Sequence, residues 1–180
     1  MKSKLRNAAR TAGFSLIELM LIVAIIGVMA SIAIPSFKGA LVRAKRAERN
    51  LMFDAIYRSI EEYYNSNNYV FPTLSGTTTT LSGAYNPTYT APFTSALKTF
   101  NSSAVGWSYL AFNPTGQMRY SYQFTANTDA ASVSNNYFTI QSIGDADNNG
   151  IPALHTQTWT LTSTGNWTIT FADSPTATEE

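Results

Sequence analysis

Hydrophobic and polar positions divide the chain into four stretches of different grammar. Residues 14 to 34 form an almost unbroken apolar run, interrupted near its start by Glu18. At ~1.5 Å per helical residue that run spans ~31 Å, about one bilayer hydrocarbon core. From Phe37 to Tyr64 the apolar residues Leu41, Ala44, Leu51, Ala55, Ile56, Ile60 and Tyr63 recur every three or four positions, opposite a face carrying Lys38, Arg43, Lys45, Arg46, Glu48, Arg49, Arg58, Glu61 and Glu62. That is the pattern of an amphipathic helix with one covered side. Continuous from 14 to 64, the helix would be ~75 Å long at the same rise per residue.

Beyond the helix the period changes. Residues 65 to 104 are rich in Ser, Thr, Asn, Pro and Gly, including the run Thr77 to Thr80, and read as a long loop region. From Val105 the segments "GWSYLAF", "MRYSYQF", "NYFTIQSI", "TWTLTS" and "NWTITF" alternate with period two and are rich in β-branched and aromatic residues, the mark of strands. "NPTG" at 113–116 separates the first two, and Thr164-Gly165-Asn166 makes a tight reversal between the last two. The expectation is an α+β fold, in which a four- or five-stranded antiparallel sheet over 105–172 covers the apolar stripe of the helix's second half. A polar tail follows over 173–180.

Charge sharpens the first boundary. The chain of 180 residues holds 12 Lys and Arg against 11 Asp and Glu, a balance that points to no nucleic-acid site. Lys2, Lys4, Arg6 and Arg10 nevertheless all precede residue 14, so residues 1–13 have the composition of a basic leader. Such a flank orients a membrane segment with its amino terminus in the cytoplasm. A conventional signal peptide cut after Ala30 is the competing reading, since Val28-Met29-Ala30 satisfies the small-residue rule. Against it, Glu18 interrupts the apolar core and the helical pattern runs straight through the cut. The chain has no cysteine, which excludes disulfides, thiolate metal sites and a cysteine nucleophile.

Glu18 is the informative residue. An ionised carboxylate at mid-bilayer costs ~2.5–3.5 kcal/mol on insertion scales. A cation would relieve that cost, and an amino terminus newly created between Gly13 and Phe14 is the obvious one. In an apolar interior, that amine on one subunit and Glu18 on a neighbour are each costly alone and tolerable together.

The string "GFSLIEL" ahead of a long apolar helix resembles the amino terminus of type IV pilins and of type II secretion pseudopilins. The resemblance covers residues 10–35. It implies cleavage after Gly13 by a prepilin peptidase, N-methylation of Phe14, and an assembly role for Glu18, the fifth residue of the mature chain. Gly27 and Pro35 also match. In filaments of this family the segment between them is extended, and both residues weaken a helix here, Gly27 by ~1 kcal/mol and Pro35 by ~3 kcal/mol.

The implied domain plan is a leader over 1–13, an apolar membrane and polymerisation helix over 14–36, and a pilin-like head over 37–180. The head comprises the second half of the helix (37–64), the loop region (65–104), the sheet and the tail. The implied function is that of a non-enzymatic subunit which sits in the inner membrane and then joins an extracellular pilus. Its implied partners are copies of itself, the peptidase, an inner-membrane platform protein and an assembly ATPase. The alternative is a pseudopilin of a secretion machine.

No cofactor is required by this reading, but "GDADNNG" at 144–150 raises calcium. Asp145, Asp147 and Asn149 alternate ahead of Gly150, as in the first half of a calcium loop. The second half departs from that pattern, with Thr156 where a bidentate glutamate is needed and Ile151-Pro152 instead of a helix start. A calcium loop of another kind would be completed by carbonyls or by a distant acid such as Asp129. Self-bonded Asp and Asn side chains in a solvated turn are the alternative. His155 is the only histidine, and no serine motif accompanies it.

Overall fold

The computed structural model describes residues 13–69, 80–89, 95–127 and 136–173. Most of the leader, the Thr77–Thr79 run, Asp129 and the end of the polar tail lie outside these residues.

One helix, α1, runs Leu16–Ser66. Up to Ala40 it belongs to one compact unit, and from Leu41 onward to a second that holds the remainder of the chain. In the first unit the helix is a single apolar segment, long enough by length and composition to cross a membrane, and none of that stretch is buried. In the second unit it is amphipathic, and Phe53, Ile56, Ile60 and Tyr64 are its buried residues. Their spacing of three, four and four places them on one face. The seam lies slightly off the stripe drawn from the sequence. Leu51 is 67% exposed and Tyr63 only partly covered, while Phe53 and Tyr64 fill the core. Aromatic size decides this, because a large ring turned inward removes more apolar area from water than a leucine.

A five-stranded antiparallel sheet lies against that face. Its strands are β1 (Thr80–Asn86), β4 (Ser121–Asn127), β5 (Tyr137–Gly144), β6 (Ala153–Leu161) and β7 (Trp167–Asp173), in that spatial order. A small pair, β2 (Lys98–Thr99) with β3 (Gln117–Met118), sits in the excursion between β1 and β4. The inner face carries Tyr122, Phe124 and Ala126 from β4, Phe138 and Ile140 from β5, and Trp159 and Leu161 from β6. Tyr57 of α1 stacks on Trp159 at 4.1 Å between ring centres, and Phe53 meets Tyr122 edge-on at 6.2 Å. The alternate positions present hydroxyls and amides outward. Thr139 and Thr158 bond across β5 and β6 at 3.2 Å, and Gln141 reaches Thr156 at 3.4 Å.

Two elements differ from the sequence expectation. The sheet takes its first strand from inside 65–104, the stretch read as loop, and "GWSYLAF" is not a strand. It forms a 3-10 turn, Trp107–Tyr109, entered through Gly106 at φ 85° and left through Ala111 at φ 50°. One contact explains both. Trp107 is fully buried, its indole Nε1–H donates to the Ala84 carbonyl at 2.8 Å, and its ring packs on Phe100, Phe112 and Phe124. A side chain anchored to β1 in this way cannot also lie in a ladder of its own. The strand "TLSGAYN" carries little apolar alternation, because Gly83 leaves room for that indole.

Polar clamps hold the excursion. The buried amide of Asn86 accepts the Asn101 N–H at 3.0 Å and donates to the Asn101 carbonyl at 2.7 Å, standing in for a strand neighbour. Glu48 of α1 accepts the Arg119 N–H at 2.7 Å and pairs with its guanidinium at 3.1 Å. The Thr162–Asn166 reversal closes as expected, with Thr162 N–H donating to Asn166 O at 2.8 Å and Gly165 at φ 83°.

A Cβ on Gly83 would stand 2.5 Å from Phe124 Cε1 and 2.7 Å from Trp107 Nε1, both core ring atoms with no room to yield. Gly83→Ala is expected to destabilise the head by about 1–3 kcal/mol of overpacking, read as a lower urea midpoint. An unchanged midpoint would show that Trp107 is not held against β1.

Candidate processing and assembly segment

Gly13, Phe14 and Ser15 precede α1 and carry no regular secondary structure. Phe14 is 76% exposed. The Gly13–Phe14 bond therefore lies outside the helix.

The helix start is built by Ser15 and Glu18. Ser15 N–H donates to Glu18 Oε2 at 2.9 Å, Ser15 Oγ–H donates to the same oxygen at 2.8 Å, and Glu18 N–H donates to Ser15 Oγ at 3.3 Å. This is a reciprocal capping box, in which the N-cap and the third helical residue each satisfy a backbone donor of the other. Such a cap contributes roughly 1 kcal/mol, and the carboxylate sits favourably at the positive end of the helix dipole. Reading Glu18 only as a charge in search of an amine overlooks Ser15. The Ser-x-x-Glu spacing within "GFSLIEL" is the signal that marks it.

Gly27 and Pro35 lie within the unbroken helix. Nothing approaches within 4 Å of a Cβ built on Gly27. Pro35 has no N–H for the carbonyl of Ser31, one turn earlier. Two hydroxyls bond backward along this stretch, Ser31 to Val28 O at 2.7 Å and Ser36 to Ile32 O at 3.2 Å. Such bonds compete with regular helical pairing, so the segment holds its helical form less firmly than its neighbours.

Asp145, Asp147 and Asn149 are brought together in one tight loop after β5. Asp145 is 2% exposed and accepts the N–H groups of Asn149 at 3.2 Å and Gly150 at 2.8 Å. Asp147 Oδ2 accepts the Asn149 amide at 2.7 Å, and Asn149 Oδ1 accepts the Ile151 N–H at 2.7 Å. Asn148 and Gly150 adopt φ 62° and 85°. Lys45 of α1 donates to the Ala146 carbonyl at 2.6 Å. The Asp147 carboxyl is held above the usual carboxylate range, first by burial and then by its hydrogen bond to Asp145 and that neighbour's charge. Among the described residues no three histidine or acidic side chains gather as metal ligands.

His155 lies opposite Ser142 in the β5–β6 register, a pairing that no local motif announces. Ser142 Oγ is buried and makes no hydrogen bond among the described residues, so the two do not form a nucleophile–base pair.

The comparisons with known proteins fall on the segment containing the capping box. Residues 9–34 match the model of the prokaryotic N-terminal methylation motif. The chain is 43% identical over 56 residues to the type IV major pilin protein PilA of Myxococcus xanthus, covering 31% of this chain and 26% of that one. It is 38% identical over 52 residues to the type IV major pilin protein PilE1 of Neisseria gonorrhoeae, covering 29% and 32% respectively. With the fimbrial protein EcpC of Eikenella corrodens it shares 36% identity over 76 residues, 41% of this chain and 49% of that one. The chain thus spans from a quarter to a half of the length of these relatives. No solved structure matches significantly. Over this amino-terminal segment the chain carries the prokaryotic N-terminal methylation motif and is similar to type IV major pilins.

Proposed function

We propose that this protein is the structural subunit of a type IV pilus, held in the inner membrane with its amino terminus cytoplasmic and then polymerised into an extracellular filament. The observation that carries the reading is the apolar half of α1, uncovered among the described residues and headed by a Gly-Phe bond outside the helix. On this reading a prepilin peptidase cuts after Gly13 and the new amine of Phe14 is methylated. Burial of residues 14–34 among neighbouring copies then replaces lipid contacts. Glu18 exchanges its Ser15 partners for the amine of an adjacent subunit, and the Gly27–Pro35 segment extends as the subunits dock. An inner-membrane platform protein and an assembly ATPase supply the work.

Intact mass of the protein in filaments sheared from cells is the primary test. The expected mass is that of Phe14–Glu180 plus one methyl group. The same mass confined to the envelope would assign a secretion pseudopilin instead, and a chain beginning at Ser31 would overturn the membrane reading altogether.

The exchange at Glu18 has its own test. Glu18→Val is expected to leave processed protein in the membrane and abolish filaments. Ser15→Ala breaks the cap at a cost of about 1 kcal/mol and is expected to keep them. Normal filaments from Glu18→Val would sink the pairing.

Calcium enters through the 144–150 loop, where we propose that Asp145, Asp147 and Asn149 supply its oxygen ligands, supported by two acids in one turn. A folded carboxyl raised above its unfolded value binds its proton more tightly in the native state, so ionised Asp147 costs stability at neutral pH and less as pH falls through the folded value. In chelator at pH 7, Asp147→Asn is therefore expected to melt higher than wild type, with the gap closing as the solution is acidified. Added calcium is expected to raise the wild-type melting temperature and leave the variant unmoved. Equal responses would leave the loop a turn closed by its own hydrogen bonds.

A further inference from the structure

At the carboxyl end of α1 lies a partly open cleft of about 410 Å³ that neither filament assembly nor the calcium loop uses. It is lined by Glu61, Tyr64 and Asn65 of the helix, Tyr69 beyond it, and Leu161, Gly165 and Trp167 at the β6–β7 reversal. Three of these are aromatic and their planes are set across one another. Tyr69 stands at 65° to Tyr64 with ring centres 5.6 Å apart, and Trp167 stands at 72° to Tyr64 at 5.4 Å. Tyr64 is the fixed member, 2% exposed, with its hydroxyl accepting the buried Asn136 amide at 2.8 Å. Trp167 is braced from behind by Phe138 at 4.9 Å.

The wall opposite is held in an uncommon backbone form. Asn68 and Tyr69 both lie in the left-handed region, at φ 55° and 63°, and Tyr69 N–H returns to Tyr64 O at 2.9 Å. Asparagine tolerates that region. A tyrosine there is rare and is kept only where the surroundings over-determine it. The effect is to fold Tyr69 back over Tyr64, although its own ring is 63% exposed and gains little burial.

Glu61 supplies the charge. It forms no ion pair among the described residues, and the Tyr57 hydroxyl donates to it. The Tyr57 hydroxyl is pushed up to about 12, first by burial and then by the negative charge and hydrogen bond of Glu61, so it stays a donor throughout the physiological range. A carboxylate held in place beside rings in crossed planes attracts a cation through both charge and ring quadrupoles. Uncharged ligands would gain from the rings alone.

We propose that this cleft binds a small organic cation with a quaternary ammonium head, with Tyr64, Tyr69 and Trp167 as its aromatic walls and Glu61 as its counter-charge. The same head group occurs on free choline and on phosphocholine displayed at surfaces. The phosphate-bearing form would place its anion outward, away from Glu61.

The test is calorimetric titration of the full chain in non-ionic detergent with choline, phosphocholine and 3,3-dimethylbutanol, the uncharged carbon analogue of choline. Saturable binding of a choline-headed ligand is expected, with the neutral analogue much weaker. Tighter phosphocholine assigns the site to surface-borne head groups, and tighter or equal choline to the free solute. Glu61→Gln and Tyr69→Ala are each expected to weaken binding about threefold to tenfold, the range of one cation–π or charge contact. Tyr69 is exposed enough that its truncation leaves the core intact, so it carries the test if Glu61→Gln lowers the melting temperature. Absence of saturable binding overturns the proposal. So does equal affinity for the neutral analogue, or undiminished binding by folded Tyr69→Ala.

Discussion

An apolar helical surface left uncovered among the described residues is the constraint around which this protein is organised. Between Phe14 and Phe37 the large side chains Leu16, Ile17, Leu21, Val28 and Ile32 are each 61–77% exposed. At roughly 25 cal/mol per Å² of apolar area, leaving such a surface in water is costly, and the segment is long and apolar enough to cross a membrane. In lipid every backbone donor has to find an internal partner. The capping box meets that demand where a helix is weakest, at its first turn, and it does so with the same carboxylate that makes Glu18 conspicuous.

The second unit solves the opposite problem, since its part of the helix has a partner in the same chain. There the interface is aromatic, with Phe53, Tyr57 and Tyr64 meeting Tyr122, Phe138, Trp159 and Trp167. Rings cover much area per residue at small rotamer cost. Polar side chains do the local positioning. Glu48 fixes the chain at Arg119, and Asn86 fixes it at Asn101, each by engaging backbone groups that the sheet leaves unpaired.

The parts of this architecture that could be read in advance are those governed by periodicity and by local chemistry. The apolar run, the amphipathic continuation and the strands from Ser121 onward each announce themselves through spacing. So does Ser15, once its distance from Glu18 is noticed. Elements that depend on distant contacts do not. β1 is made a strand by pairing with β4, and Gly83 contributes to it by lacking a side chain. The segment around Trp107 alternates like a strand, yet it is pinned as a turn by a carbonyl 23 positions earlier in the chain. The crossed rings at the end of α1 depend on Asn68 and Tyr69 taking a backbone form that their identities do not advertise.

The position of β1 also has a kinetic side. β4 to β7 are sequential neighbours, so their pairing closes only short loops, whereas β1 reaches β4 across residues 87–120. Closing the longer loop is entropically dearer, and the Trp107 and Asn86 contacts that compensate it form only once β1 is in place. On these grounds the hairpins are expected to form first and the edge nearest the amino terminus last. A chain delivered amino-terminal end first would present β1 well before its partner has emerged, and for that interval the strand must wait with its ladder unfilled.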